Sequence, residues 1–550
     1  MVEPQGEIAG SGHSLGTIGR GEALADMVWN RFHFALAAIY LGGLILVGIL
    51  AGRKPRDSNQ FLNATGALPL WVCMAACIAA NCGSLDVTAM MALGAQYGIL
   101  AAHFYWIGAI PALVVLVFWL LPAYAQGRYP SILDFVARYY GPETRALVAL
   151  CMAIMMLLLS GVCLCAASQV LVTFLGWSFL EGVLLTAPLV LFYIWFGGFR
   201  ATIYTELLHF SIVLVAIVPL SFLVIRDFGG IGNLLKSIPP DRLHAWKNLP
   251  AFGPHAAMDR FGLIFGLGLV LSFGYWSTDF VLMQRALAVR RGTDVRLVPV
   301  GLAAAKLVFA FLIVLPGVVA PLVLQAKVTR SWNATLPSMI LLYYNPSWAV
   351  IGIMGLTTSL VATFANNVSG FSAAWVLGIY RPAIRPGGEE KYYVAMGRIA
   401  AAAAVLLSIG GAYAALEYQS MMEYMQMIFS TFNAPLFALV MLAALVPGRA
   451  AGGGLGGFVT GLVCTVLHQG LAHARVLRYG SQMNANFYGA VLGFAVAVVS
   501  TLIISRARKH ALPQPSQTRE PGSSSKFPSL LALLSGGIVC LCVALNLFFW

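Results

Sequence analysis

The chain reads as an all-α polytopic membrane protein of about fourteen transmembrane helices, and three features of the sequence point there. Of its 550 residues, 60% are apolar and only 10% charged, against about 25% charged in a soluble domain. Mean hydropathy is +0.84. Apolar stretches recur along the whole chain at the length of about 20 residues that a helix needs to cross a bilayer, and Lys and Arg collect between them.

Taken in order, residues 1–32 are Gly-rich and polar, with Glu3, Glu7, Glu22 and Asp26. They lack the basic start and short apolar core of a cleavable signal, so a tail outside the membrane is expected. Residues 33–51 supply the first transmembrane helix. A core over 66–446 holds ten spans, near 66–97, 104–124, 145–175, 181–197, 203–225, 261–289, 298–326, 349–379, 395–416 and 419–446. The first of these is too long for one plain crossing and is expected to be broken or tilted. Two accessory helices follow in 451–504. Residues 505–526, rich in Pro, Ser and charge, form an inner loop, and 527–550 form the C-terminal transmembrane helix.

Orientation follows from basic residues in the connections. With the N-terminus outside, inner connections hold 21 Lys and Arg and outer segments 11. Both termini are therefore expected outside a cell membrane crossed many times. The net charge of +13 belongs largely to inner loops facing an anionic leaflet and calls for no nucleic acid. No obligate protein partner is evident, and the chain has no room for a soluble domain, which removes most enzyme classes.

Several patterns carry no chemistry. The glycines of AAGGGLGGFVTG (450–461) follow no strand and open a membrane helix, so they are read as a close helix-packing surface and not as a phosphate cradle. The nine Cys lie in apolar segments without a CxxC pair, and the nine His are scattered, which argues against a zinc site or disulfide framework.

What remains is a set of polar residues inside apolar spans. Lys306 stands out, in a run of 28 residues without another charge. A Lys at mid-membrane costs about 2.5–3.5 kcal/mol on insertion scales and tends to face a cavity or partner, unless its stem lets it snorkel to the surface. With it are Asn81, Asp86, Thr205, Glu206, Asp279, Thr363, Asn366, Asn367 and Gln426. The second and seventh spans, five apart, run in opposite directions, as two inverted five-helix repeats require. In such folds the first helix of each repeat is broken. Asn81 and Gly83, poor helix formers, mark a break in the second span, and Gly274-Tyr-Trp-Ser-Thr-Asp279 is its counterpart in the seventh.

These residues resemble the sodium/solute symporter family, closest to its sodium/glucose (galactose) cotransporter branch. Gly197-Gly-Phe-Arg-Ala-Thr-Ile-Tyr-Thr-Glu206 is similar to the family's GG-x-x-A-x-x-YTD segment, and Tyr275-Trp-Ser-Thr-Asp-Phe-Val-Leu-Met-Gln-Arg285 to the branch's YWxTDxxxxQR. The likeness spans roughly 55–470 and implies a LeuT-type 5+5 inverted repeat with extra helices at both ends.

By that resemblance the solute-binding residues would be Asn81, Lys306 and Gln426, with Tyr275 and Trp276 as the inner-gate aromatic pair. Lys306 lies thirty-one residues after Tyr275, and Gln426 nine before Pro435. Where the branch has a sugar-gripping acid in the third span, this chain has Tyr105, a phenol without charge. The sodium ligands implied are the carbonyls of Ala79, Cys82 and Ser359 and the hydroxyl of Thr363, while Ala362 stands where the family has a second hydroxyl. One coupling sodium is expected. A second is not, because Ala80 and Ala365 replace ligands there. Glu206 would pair with a gate Arg or Lys, the simplest account being ion pairs of Glu206 and Asp279 with Arg200 and Arg285. The function implied is sodium-coupled symport of a small polar solute, a sugar or similar polyol, by alternating access. A proton-coupled or facilitative carrier and a non-transporting solute sensor remain the alternatives.

Overall fold

The computed structural model describes residues 68–122, 132–196, 199–290, 294–324, 332–446, 451–508 and 528–550, with Gly42 as a single residue. The expected tail (1–32), nearly all of the first helix (33–51) and most of the loop 505–526 lie outside the described residues.

Among the described residues ten helices are long and apolar enough to cross a membrane. Shorter apolar helices lie at Leu70–Asn81, Phe104–Leu120, Phe179–Leu191 and Gly262–Thr278. In chain order the elements used below are α1 Leu70–Asn81, α2 Ser84–Tyr97, α3 Phe104–Leu120, α4 Pro142–Leu175, α5 Phe179–Phe196 and α6 Phe199–Asp227. There follow α7 Gly262–Thr278, α8 Phe280–Leu287, α9 Leu297–Leu324, α10 Pro346–Ile384, α11 Glu390–Leu416, α12 Met421–Leu445, α13 Gly454–His473, α14 Gln482–Arg508 and α15 Pro528–Phe548. The architecture is the all-α inverted repeat that the sequence predicts.

Both expected breaks are present. α1 ends at Asn81, Cys82 leaves helical geometry at φ −127° and ψ 23°, and Gly83 is extended before α2 begins. A Cβ on Gly83 would stand 2.8 Å from the Ala79 carbonyl oxygen, so only glycine lets the chain turn so close to the end of α1. In the second repeat Asp279 adopts φ −63° and ψ 107° between α7 and α8. The two broken segments are tied at their far ends, where Leu68 N donates to Ala288 O (3.0 Å) and Arg290 N to Leu68 O (2.8 Å). Each breaks a helix in the membrane interior, which is tolerated where the freed backbone lines a cavity or finds protein partners.

α3 is widened into π-helical turns over Phe104–Ala109 and Leu116–Leu120, a distortion common at functional sites. Tyr105 lies in the first. The glycine-rich run at the start of α13 packs as expected: a Cβ on Gly461 would come within 2.7 Å of Ala497 Cβ and 2.9 Å of Gly493 O, so α13 and α14 touch nearly backbone to backbone. Arg242, from the segment after α6, donates to Gly94 O and Ala95 O (3.1 and 2.6 Å) and so seats that segment on the end of α2.

Candidate functional site: a cavity beside the broken helix

The break between α1 and α2 opens onto a cavity of about 170 Å³, against about 10–15 Å³ needed to admit one water. Its lining includes Asn81, Tyr105, Tyr275, Trp276, Lys306 and Gln426. The structure thus gathers all six sequence-predicted solute residues around one space, drawn from five separate helices.

Lys306 does not snorkel. It is 3% exposed, and its ammonium donates to Asn81 O (2.5 Å) and Asp86 Oδ2 (3.0 Å). The first bond caps a carbonyl that the helix break leaves without its partner. The second is an ion pair. The ammonium also lies 4.7 Å from the centroid of the Tyr105 ring and 6.0 Å from that of Trp276, within cation–π range. A buried Lys is stable only with such compensation.

Asp86, which stands in the sequence among the polar residues inside spans with no solute role assigned, also lines the cavity. Tyr105 donates its phenolic proton to the same Asp86 oxygen at 2.7 Å, so Oδ2 is shared between Tyr105 and Lys306. Oδ1 makes no hydrogen bond among the described residues. The resemblance places an acid in the third span; the acid at this cavity stands in the second, five residues past Asn81. The signal was available: a lone Lys and an Asp, both inside membrane spans, each need an opposite charge.

Gln426 is 6% exposed. Its amide nitrogen reaches Met422 Sδ at 3.5 Å, and its carbonyl oxygen is buried without a partner among the described residues. Tyr275 packs against Trp276 and Phe429, with ring centroids 4.9 Å apart in each case, and forms an aromatic wall. Asn366 and Asn367 also line the cavity.

Three of the expected cation-site residues meet at the same break. Around the position a Gly83 Cβ would take lie Ala79 O at 2.8 Å, Ser359 Oγ at 3.6 Å and Thr363 Oγ1 at 4.0 Å. Glycine thus leaves a small space among three oxygens, the donor type a hard cation selects. Ser359 contributes more than the expected carbonyl: its hydroxyl faces the break and accepts from Ser84 N at 3.3 Å, while its carbonyl accepts from Thr363 Oγ1 at 3.0 Å. Ala362, 3% exposed, brings no side-chain oxygen.

Two polar clusters flank the cavity. On the α1 side Arg285 of α8 holds both carboxylate oxygens of Glu206 (2.7 and 2.6 Å), and Asn366 donates to the same carboxylate. Arg285 and Glu206 are 1% and 5% exposed. The expected gate pairing for Glu206 is thus made with Arg285; the Arg200 side chain lies outside what the structure describes. At the far end of α2, Glu423 Oε1 accepts from Tyr97 OH at 2.9 Å and from Gln96 Nε2 at 3.1 Å, joining α2 to the first turn of α12.

Residues 61–461 match the model of the sodium:solute symporter family. The chain belongs to this family. Among its relatives is the sodium/glucose cotransporter of Vibrio parahaemolyticus, 24% identical over 416 residues that cover 69% of this chain and 76% of that one. The sodium/glucose cotransporter 1 of Mus musculus is 22% identical over 534 residues, covering 87% and 79%. In fold, the symporter is similar to a Na+-coupled sialic acid symporter solved in a substrate-bound outward-open state, with a TM-score of 0.71 at 16% identity over 87% of this chain and 98% of that one. The protein is accordingly a multi-pass membrane symporter coupled to sodium, and not an enzyme.

Proposed function

We propose that this symporter moves a sugar or similar polyol into the cell with one sodium ion, that it sits in the cell membrane, and that both termini face outside. Its relatives named as sodium/glucose cotransporters support the solute class, and the basic bias of the connections supports the orientation. The observation that carries the coupling is that solute cavity and cation cradle share one helix break. Asn81 and Asp86 face the cavity, while Ala79 O, Ser359 Oγ and Thr363 Oγ1 surround Gly83 between them. Sodium drawn to those oxygens orders the segment that presents Asn81 and Asp86 to the solute. A coupled ion acts only through its differential affinity for two states, and an unwound segment ordered by the ion supplies that difference. The solute then hydrogen-bonds Asn81, Tyr105, Lys306 and Gln426 and leaves past Tyr275 and Trp276.

The test is uptake by purified protein in proteoliposomes under an imposed sodium or proton gradient, with a panel of sugars, organic acids and amino acids. Sugar uptake should require an inward sodium gradient. Equal uptake in potassium would favour a facilitative carrier, a reading to which the missing hydroxyl at Ala362 lends weight. Acceleration by protons alone would favour proton coupling, and binding without uptake would favour a sensor.

A further inference from the structure

Lys306 is the sole Lys or Arg among the described residues lining the cavity. A cation in a solute cavity is ordinarily a receptor for anions. Here its charge is already paired and two of its three N–H groups are taken: Asn81 O and Asp86 Oδ2 accept from it, and two aromatic rings flank it. Tyr105, which could have served a carboxylate as a donor, spends its proton on Asp86 as well. Asp86 Oδ1 and the Gln426 carbonyl oxygen, both acceptors on residues that line the cavity, take no hydrogen bond among the described residues.

We propose that Asp86 is the charge filter of the solute site: by holding Lys306 it reserves the cavity for uncharged donors of hydroxyl hydrogen bonds and excludes carboxylate-bearing solutes. This rests on the sugar reading above and adds to it the residue that sets specificity. An anionic solute would bring a second carboxylate beside Asp86 with one ammonium to serve both, and like charges at a shared site cannot both stay ionised at ordinary cost. A neutral polyol meets two open acceptors and no repulsion. The filter acts by selective rejection, which is how close analogues are told apart.

The experiment uses isosteric pairs, D-glucose with D-glucuronate and D-galactose with D-galacturonate, in which one CH2OH becomes a carboxylate. Sodium-driven uptake into proteoliposomes is measured for the unaltered protein, for Asp86→Asn and for the double substitution Asp86→Asn with Lys306→Met. The unaltered protein should favour the hexose over its uronate at least tenfold. Asp86→Asn frees Lys306 and should lower that preference at least tenfold. The double variant removes both charges, so no buried ammonium is left unpaired, and it should still reject the uronates. Comparable uptake of hexose and uronate by the unaltered protein overturns the filter while leaving sodium-coupled sugar transport standing. So does an unchanged preference in a folded Asp86→Asn protein, or, where that variant does not fold, uronate uptake by the double variant. Uptake of neither member of either pair overturns the filter and the sugar reading together.

Discussion

Tyr105 donates a 2.7 Å hydrogen bond to Asp86, the carboxylate that also holds Lys306. This links α3, α2 and α9 at one oxygen. Removing the phenolic hydroxyl with Tyr105→Phe keeps the ring over the ammonium and deletes only the bond. A hydrogen bond to a charged group contributes about 1.5–3 kcal/mol, so the KM for the solute should rise about tenfold or more with the protein still folded. The dependence of sodium-driven uptake on solute concentration reads this directly. An unchanged KM would mean that the phenol does not hold the carboxylate the solute meets.

Sodium dependence tests the oxygens around Gly83. Thr363→Ala and Ser359→Ala each remove one of the oxygens around Gly83, and each should raise the sodium concentration for half-maximal uptake several-fold. Gly83→Ala should be more severe, because its Cβ would stand 2.8 Å from Ala79 O and fill the space itself. If Ser359→Ala left the sodium requirement unaltered, that hydroxyl would be only a cap for Ser84 N.

Much of the core was legible because it rests on local chemistry. Asn81 and Gly83 announce a helix break through poor propensity alone, and the glycines of 450–461 announce close packing through size alone. The gathering of Asn81, Tyr105, Lys306 and Gln426 was legible through the spacing of a family motif. Partners were harder. Asp86 pairs with Lys306 across 220 residues of chain, a meeting that depends on how the repeats interleave and that no local pattern encodes; for Glu206 an Arg partner was foreseen, and the fold selects Arg285, 79 residues away. The hydroxyl of Ser359 was overlooked for a different reason: the motif assigns that position a carbonyl, and only the fold shows the side chain turned toward Gly83.

The Arg285–Glu206 pair should behave as a buried unit. Breaking one partner leaves the other charge buried alone, which costs about 3–5 kcal/mol, whereas removing both is often neutral. Arg285→Met should therefore lower the thermal unfolding midpoint markedly in detergent, and adding Glu206→Gln should restore most of the loss. Two independent, additive losses would show that the residues contribute separately.

The two flanking clusters stand on opposite sides of the helix break, so weakening either should release its own side of the cavity. Tyr97→Phe removes the 2.9 Å bond to Glu423 and loosens α2 from α12, on the side that the proposed orientation, with both termini outside, places at the exterior. A buried hydrogen bond contributes about 1 kcal/mol net, and that shifts a two-state balance about fivefold. The reporter is the thiol introduced by Met422→Cys in the cavity wall, with Cys464 and Cys540, the two least buried native thiols, replaced by Ser. Labelling from outside by an impermeant thiol reagent should become about fivefold faster with Tyr97→Phe and slower with Glu206→Gln, which loosens the inner side instead. Opposite responses are required because opening of the two sides is mutually exclusive in alternating access. Movement of both rates in one direction would mean that at least one cluster is structural and ties no gate.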